Sequence, residues 1–394
     1  MPNRQQTLPP LALYIHIPWC IRKCPYCDFN SHQRQGELPV DAYLKSLIAD
    51  LEQEAERARG RPLTSIFFGG GTPSLFPASA INEVLCAARQ SCGFDGDIEI
   101  TLEANPGAAE YTNLSGLRAS GVNRLSFGVQ SFDDAQLRAL GRVHGRSEAL
   151  SAFYAAREAG FDNINIDLMH GLPEQDHMQA CADLEQAIAL APEHISWYQL
   201  TIEANTAFYS APPILPHENM LANIQDRGAA LLQQHGYRQY EVSAYSKEGR
   251  QSRHNLNYWQ FGDYLAIGAG AHGKVTDTEG RVWRYRKTRK PEDYLAINKD
   301  QPFVRGLHRI EQDELALEFM MNALRLCEGI NLDSFEQRTG LSVDTIRHKI
   351  DALCQQGLLC LENGTLHASA LGLTYLDSVL AEFQDLNKGQ NTQQ

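Results

Sequence analysis

Three cysteines stand within eight residues, Cys20, Cys24 and Cys27, spaced C-x3-C-x2-C. Ionised thiols this close repel one another, and a bound metal both deprotonates and neutralises them. Two kinds of site suit the pattern. A structural zinc needs four ligands, and no second C-x2-C pair stands nearby, so His16 or His32 would have to complete it. An iron–sulfur cube is also held by thiolates, usually four. Three leave one iron open, which suits a reactive site better than a staple, and the spacing favours the cube.

The elements that must position these thiols can be read from periodicity. Residues 11–17 form an apolar, β-rich run that Pro18 stops, so the cysteines follow a buried strand. Helical patterning over 41–59 ends at Gly60; a β-rich run, 65–68, opens into Gly69-Gly70-Gly71-Thr72-Pro73. Further helices are expected at 78–89, 111–120, 133–140, 147–159 and 179–190. Further strands are expected at 97–103, 122–127, 163–169 and 194–201. Strand and helix thus alternate six times, which predicts a parallel sheet with right-handed crossovers, curled into an α/β partial barrel of the TIM type. Six units rather than eight leave it open at the side. Such sheets place chemistry at the carboxyl ends of their strands, and Cys20, Gly70, Glu103, Gln130, Asp167 and Tyr198 all fall at or just beyond one. The glycine triplet is a weak signal alone, and it is no P-loop, since no Gly-Lys-Ser/Thr follows.

Composition narrows the function classes. The 394 residues suffice for one large and one small domain, and the net charge of −13 argues against non-specific nucleic-acid binding. No apolar run approaches membrane-spanning length, and MPNRQQTLPP lacks a signal peptide's apolar core, so a cytoplasmic protein is expected. Nine cysteines are an odd number; Cys86, Cys92, Cys181, Cys327, Cys354 and Cys360 are scattered and read as reduced core residues. The basic stretch at 284–290 is expected on a solvated surface. Beyond about residue 307, helices at 310–326, 332–338 and 343–356 precede a hairpin at 358–361 and 364–367, a winged-helix-like α+β order. Residues 305–394 hold seven Lys and Arg against thirteen Asp and Glu, a poor match for DNA phosphates.

The run YIHIPWC-x3-C-x2-C resembles the radical SAM superfamily, and more closely its HemN/HemW branch, which holds oxygen-independent coproporphyrinogen III oxidases and heme chaperones. The resemblance covers nearly the whole chain, and radical SAM folds have the six-unit architecture read above. It implies a 4Fe–4S cluster on Cys20, Cys24 and Cys27, whose open iron binds the amino and carboxylate groups of S-adenosylmethionine. By the branch's motifs, Tyr14, Gly70, Gly71, Thr72, Glu103, Gln130, Arg142 and Asp167 would contact that cofactor, with Arg142 able to pair a carboxylate bidentately. His254-Asn255-Leu256-Asn257-Tyr258-Trp259 is similar to the HN-x-x-YW signature of the branch's chaperones, implying heme contact by His254, Tyr258 and Trp259. His272, in the glycine-rich 268–273, is a second candidate for metal or ligand contact. The basic cluster is a candidate for heme propionates.

The resemblance divides the chain into a disordered tail (1–10), a core (11–240), a heme-signature extension and junction (241–306), a C-terminal HemN-type domain (307–385) and a second tail (386–394). Two departures weigh against the oxidase: Phe29 stands where its further cysteine would be, and its longer N-terminal segment is missing. The expected protein is a heme chaperone that passes heme to acceptor apo-proteins, with an electron donor as a further partner. The alternatives are the oxidase and a zinc-stapled winged-helix regulator.

Overall fold

A computed structural model describes residues 8–107 and 113–384. The start of the helix expected at 111–120 and most of both expected tails lie outside them. The main sheet has twelve strands: β1 (Leu11–Ile17), β2 (Leu63–Gly70), β3 (Phe94–Ala104), β4 (Arg124–Gln130), β5 (Ile164–His170), β6 (His194–Gln199), β7 (Arg238–Glu241), β8 (Ala244–Ser246), β9 (Asp263–Ile267), β10 (His272–Thr276), β11 (Val282–Lys287) and β12 (Val304–Arg309). Their spatial order is β12-β11-β10-β9-β1-β2-β3-β4-β5-β6-β8-β7.

Strands β1 to β6 lie parallel in chain order, as the six repeats predicted. β1 and β6 do not meet. β9 joins β1 in parallel and β8 joins β6 antiparallel, so the sheet stays open and extends at both sides. β1 is buried along nearly its whole length because both neighbours and both faces are covered, hence its unbroken apolar run.

The helix Val40–Ala58 carries Asp50 and Glu54, both fully buried, and these meet Lys287 at 2.5 Å and 2.7 Å. Tyr294 donates to Asp50 and Tyr285 to Glu54. Buried charges persist only when paired and hydrogen-bonded, so this cluster fixes the end of β11 to the first helix. The expected solvated surface at 284–290 therefore needs correction: Lys287 is buried, and Arg284 pairs with Glu318. The scattered cysteines also differ from expectation. All are free thiols, but Cys86 is exposed and the other five half-buried, since they sit on helix flanks, on a hairpin strand and, for Cys327, in a turn.

A separate apolar cluster holds Phe319, Phe335, Ile346, Ile350, Leu353 and Leu366. Around it stand helices Gln312–Ala323, Leu332–Thr339 and Asp344–Gln355 and the hairpin Leu359–Glu362 and Thr365–Ala368, with Ile330–Asn331 as a third strand. The helix Glu218–Gln234 had no counterpart in the sequence reading; its mixed polar sequence buries only Ile224, Gly228 and Leu232. Among the described residues no helix is long and apolar enough to cross a membrane.

Candidate functional site

The cysteine loop is pinned before any cofactor enters. Trp19–Cys20 pairs with His32–Gln33, closing the loop at its base. Gly71 N–H donates to Ile17 O and Thr72 N–H to Trp19 O, each at 2.8 Å, fastening it to the glycine loop. A Cβ on Gly71 would stand 2.5 Å from Trp19 O, and Gly70 has φ +114° with a Cβ position 2.5 Å from the His16 ring. Only glycine permits this close approach.

A cavity of about 260 Å³ opens above the loop, lined by all three thiols. Gly70, Gly71, Thr72, Glu103, Gln130, Arg142 and Asp167 stand around it, so seven of the eight residues expected at the S-adenosylmethionine site converge with the cysteines. Tyr14 does not line it. Its hydroxyl hydrogen-bonds to His16 Nδ1 at 2.9 Å, and its ring faces a second cavity. Asp167 lies in the middle of β5 rather than at its end; Ser126 and Asn165 donate to its carboxylate. Tyr198 donates to Gln130 Oε1 at 2.8 Å, and Gln130 itself holds φ +72°, an uncommon conformation for a non-glycine.

Arg142 is already engaged. Its guanidinium donates to Asn105 Oδ1 (2.5 Å), Gly128 O (2.6 Å) and Cys24 Sγ (3.5 Å), leaving the buried Nε without a partner. The expected carboxylate fork thus instead ties a cation to the cysteine loop. Asn105, whose amide also donates to Thr72 Oγ1 at 2.7 Å, was missed from sequence. Its place two residues beyond Glu103, at the end of the strand expected at 97–103, was the available signal.

Burial above all raises the Cys20 thiol pKa, which by itself favours protonated sulfur there. A cationic cluster reverses that preference. Burial, then the nearby Asp167, pushes the Glu103 carboxyl to about 8, while the Gly70 N–H at 3.2 Å opposes the rise. A sulfonium or ammonium group would draw Glu103 back to its ionised form. Thiols, cation and acids thus fit a cluster with its cofactor. His16 cannot complete a zinc site as it stands, because Tyr14 and Asn30 O occupy both its nitrogens.

The second cavity, about 480 Å³, shares Phe29, Gly70 and Glu103 with the first. Tyr258, Tyr264, His272, Arg286 and Arg289 line its far side. The His-Asn-x-x-Tyr-Trp segment lies on the helix Arg253–Trp259 and reaches this space through Tyr258 alone. His254 is 1 % exposed; Ser65 Oγ takes its Nδ1 at 3.0 Å and Tyr258 OH its Nε2 at 3.0 Å. Trp259 instead lies beneath the Arg325 guanidinium, outside both cavities.

Comparison with known proteins agrees with this geometry. The family model for the radical SAM superfamily matches residues 14–184, and that for the HemN C-terminal domain matches 310–375. In overall fold the chain is similar to the coproporphyrinogen III oxidase HemN of Escherichia coli, with a TM-score of 0.80 at 23% identity, covering 97% of this chain and 91% of that one. Those matches define the class, a radical SAM protein, whose membership carries the 4Fe–4S cluster and S-adenosylmethionine. The heme chaperones HemW of Haemophilus influenzae and Escherichia coli are 46% and 47% identical to it, each match covering 95% of this chain and 98% of the relative. The mitochondrial radical S-adenosyl methionine domain-containing protein 1 of Bos taurus is 35% identical over 94% of the chain and 86% of its own length. The chain therefore belongs to the HemW family.

Proposed function

We propose that this chain binds heme and hands it to acceptor apo-proteins in the cytoplasm, with cluster and S-adenosylmethionine held beside the cargo. The second cavity carries this reading: it is large enough for a flat ligand, partly aromatic, and shares a wall with the thiol-lined cavity. The near-full-length similarity to relatives named heme chaperones supports it.

In this reading Cys20, Cys24 and Cys27 hold the cluster. When bound, the cluster would supply an open iron for the methionyl end of S-adenosylmethionine and an electron for its sulfonium. The protein's own residues do the rest. Gly70, Gly71 and Thr72 offer backbone at close range, Glu103 and Asp167 balance the cofactor's positive charge, and Gln130 meets its hydroxyls. Arg142 holds the cysteine loop in register and offsets thiolate charge. Tyr14 shapes the boundary between the cavities. Tyr258 forms the aromatic wall of the heme site, with His254 behind it fixing its hydroxyl and Trp259 packing the far side of the helix. Free thiols throughout suit a reducing compartment, and the acidic chain is a poor partner for nucleic acid. An electron donor would be needed only if the cluster changes oxidation state.

Oxidase chemistry is the second reading, favoured by the HemN-like fold. Phe29, 61 % exposed on the wall between the cavities where the oxidase's extra cysteine would stand, disfavours it. The test is anaerobic reconstitution with iron and sulfide analysis, then titration with heme followed at the Soret band, and transfer to an apo-cytochrome. Stoichiometric heme binding without conversion of coproporphyrinogen is the expected result. Turnover of coproporphyrinogen, or no heme uptake, refutes the proposal.

A further inference from the structure

We propose that His272 is the axial ligand of the heme iron, with Arg286 and Arg289 holding the propionates. The assignment rests on the heme reading above and goes beyond it in naming the iron ligand. Four imidazoles stand at or near the second cavity: His32, beside His16 and Arg289, does not line it, and two of the other three are committed. His16 is bonded through both nitrogens to Tyr14 and Asn30, and His254 through both to Ser65 and Tyr258. His272 is exposed at the cavity wall and has no hydrogen-bond partner among the described residues. An imidazole nitrogen with a free lone pair is what heme iron takes.

The strand geometry supplies the second half of the site. His272 opens β10 and lies directly opposite Arg286 on β11 in an antiparallel pair, so the two side chains share one face. Arg289 follows two residues beyond the end of β11 and lines the same cavity. Of the neighbouring cations, Arg284 pairs with Glu318 and Lys287 with Asp50 and Glu54, while Lys290, also without an ion pair among the described residues, does not line the cavity. Arg286 and Arg289 have no ion pair among the described residues, although the chain is strongly acidic. Two unpaired guanidinium groups beside an open imidazole match a ligand with a metal centre and two carboxylates on one edge. Tyr258 and Tyr264, edge to face at 4.4 Å, give the macrocycle an aromatic wall. Asp28 also stands on this wall, so the site is not uniformly basic. Phe29, Gly70 and Glu103 are shared with the thiol-lined cavity, so the two sites adjoin.

The test uses the full chain with its cluster reconstituted. Hemin and metal-free protoporphyrin IX are titrated into wild type, His272→Ala, His254→Ala and the double variant Arg286→Gln/Arg289→Gln. Soret absorbance and low-spin ferric EPR report iron ligation, and tryptophan quenching reports macrocycle docking. For His272→Ala we expect loss of the histidine-ligated spectrum and hemin affinity lower by about tenfold or more, with protoporphyrin docking retained. The arginine pair should weaken both ligands but leave the dimethyl ester of hemin unaffected. An unchanged spectrum in His272→Ala, or loss of histidine ligation in His254→Ala alone, overturns the assignment. Failure of wild type to bind hemin at all overturns the heme reading, and this assignment with it. His272 is exposed, so its replacement leaves no cavity in the core.

Discussion

Arg142 gives the sharpest handle on the cysteine loop, because its guanidinium touches Cys24 sulfur directly, at 3.5 Å, while anchored on Gly128 O and Asn105. Reducing the cluster adds one negative charge, part of it on the thiolate sulfurs, and a fixed cation there favours the reduced form. Replacing Arg142 with Met keeps an unbranched apolar stem and removes the charge. A hydrogen bond to a charged group contributes about 1.5–3 kcal/mol. Only part of that changes with oxidation state, since the electron spreads over the cluster; we take on the order of 1 kcal/mol. At ~59 mV per tenfold for a one-electron couple, the midpoint potential should fall by about 40 mV. Arg142→Lys, which keeps the charge but not the planar fork, should fall between. The assay is a mediated anaerobic reductive titration followed by EPR, on samples matched for iron and sulfide content. A potential for Arg142→Met at or above wild type would refute the electrostatic reasoning.

Three further outcomes are expected. Glu103 titrates near pH 8 in the unliganded site, and a cationic ligand binds its ionised form, so S-adenosylmethionine affinity should rise with pH up to about 8 and then level. Glu103→Gln should reduce both the slope and the proton release measured by calorimetry in two buffers; equal release in both proteins counts against the charge pairing. Gly71→Ala sets a Cβ 2.5 Å from Trp19 O, where neither backbone can yield, so thermal denaturation should show a loss of about 1–3 kcal/mol and reconstitution less bound iron. Lys287→Met leaves buried Asp50 without an ion pair and buried Glu54 with Arg57 alone, at 3.4 Å, and should cost about 3–5 kcal/mol in urea unfolding. The triple variant Lys287→Met/Asp50→Asn/Glu54→Gln should recover most of that, and a mild single variant would show the cluster to be dispensable.

Much of the fold was legible because its signals are local. The apolar run of β1, the helical periods and the turn glycines lie within one stretch of chain each, and six alternations leave few topologies open. What extends the sheet was not legible. β9 pairs in parallel with β1 across some 250 residues, Leu11 opposite Asp263, and nothing in either strand names the other. The burial of Lys287 escaped for the same reason. Its partners lie 237 and 233 residues away, and a lysine in a run of basic residues reads as solvated until they are seen.

The site divides along the same line. The thiols and the glycine loop were legible because type and spacing carry the expectation: closely spaced thiols suit a metal, and only glycine lets backbone touch backbone. For a histidine, type and spacing do not suffice, since its use depends on what occupies its nitrogens. His254 sits in the more telling motif, yet Ser65, 189 residues earlier, takes one nitrogen, and Tyr258, inside the motif itself, takes the other. His272 sits in a plainer glycine-rich run and keeps both nitrogens open beside two unpaired arginines. A motif therefore marks which segment builds a wall. Which atom on that wall meets iron is decided by the hydrogen bonds the fold leaves unmade, and here those point to β10 and β11 rather than to the helix Arg253–Trp259.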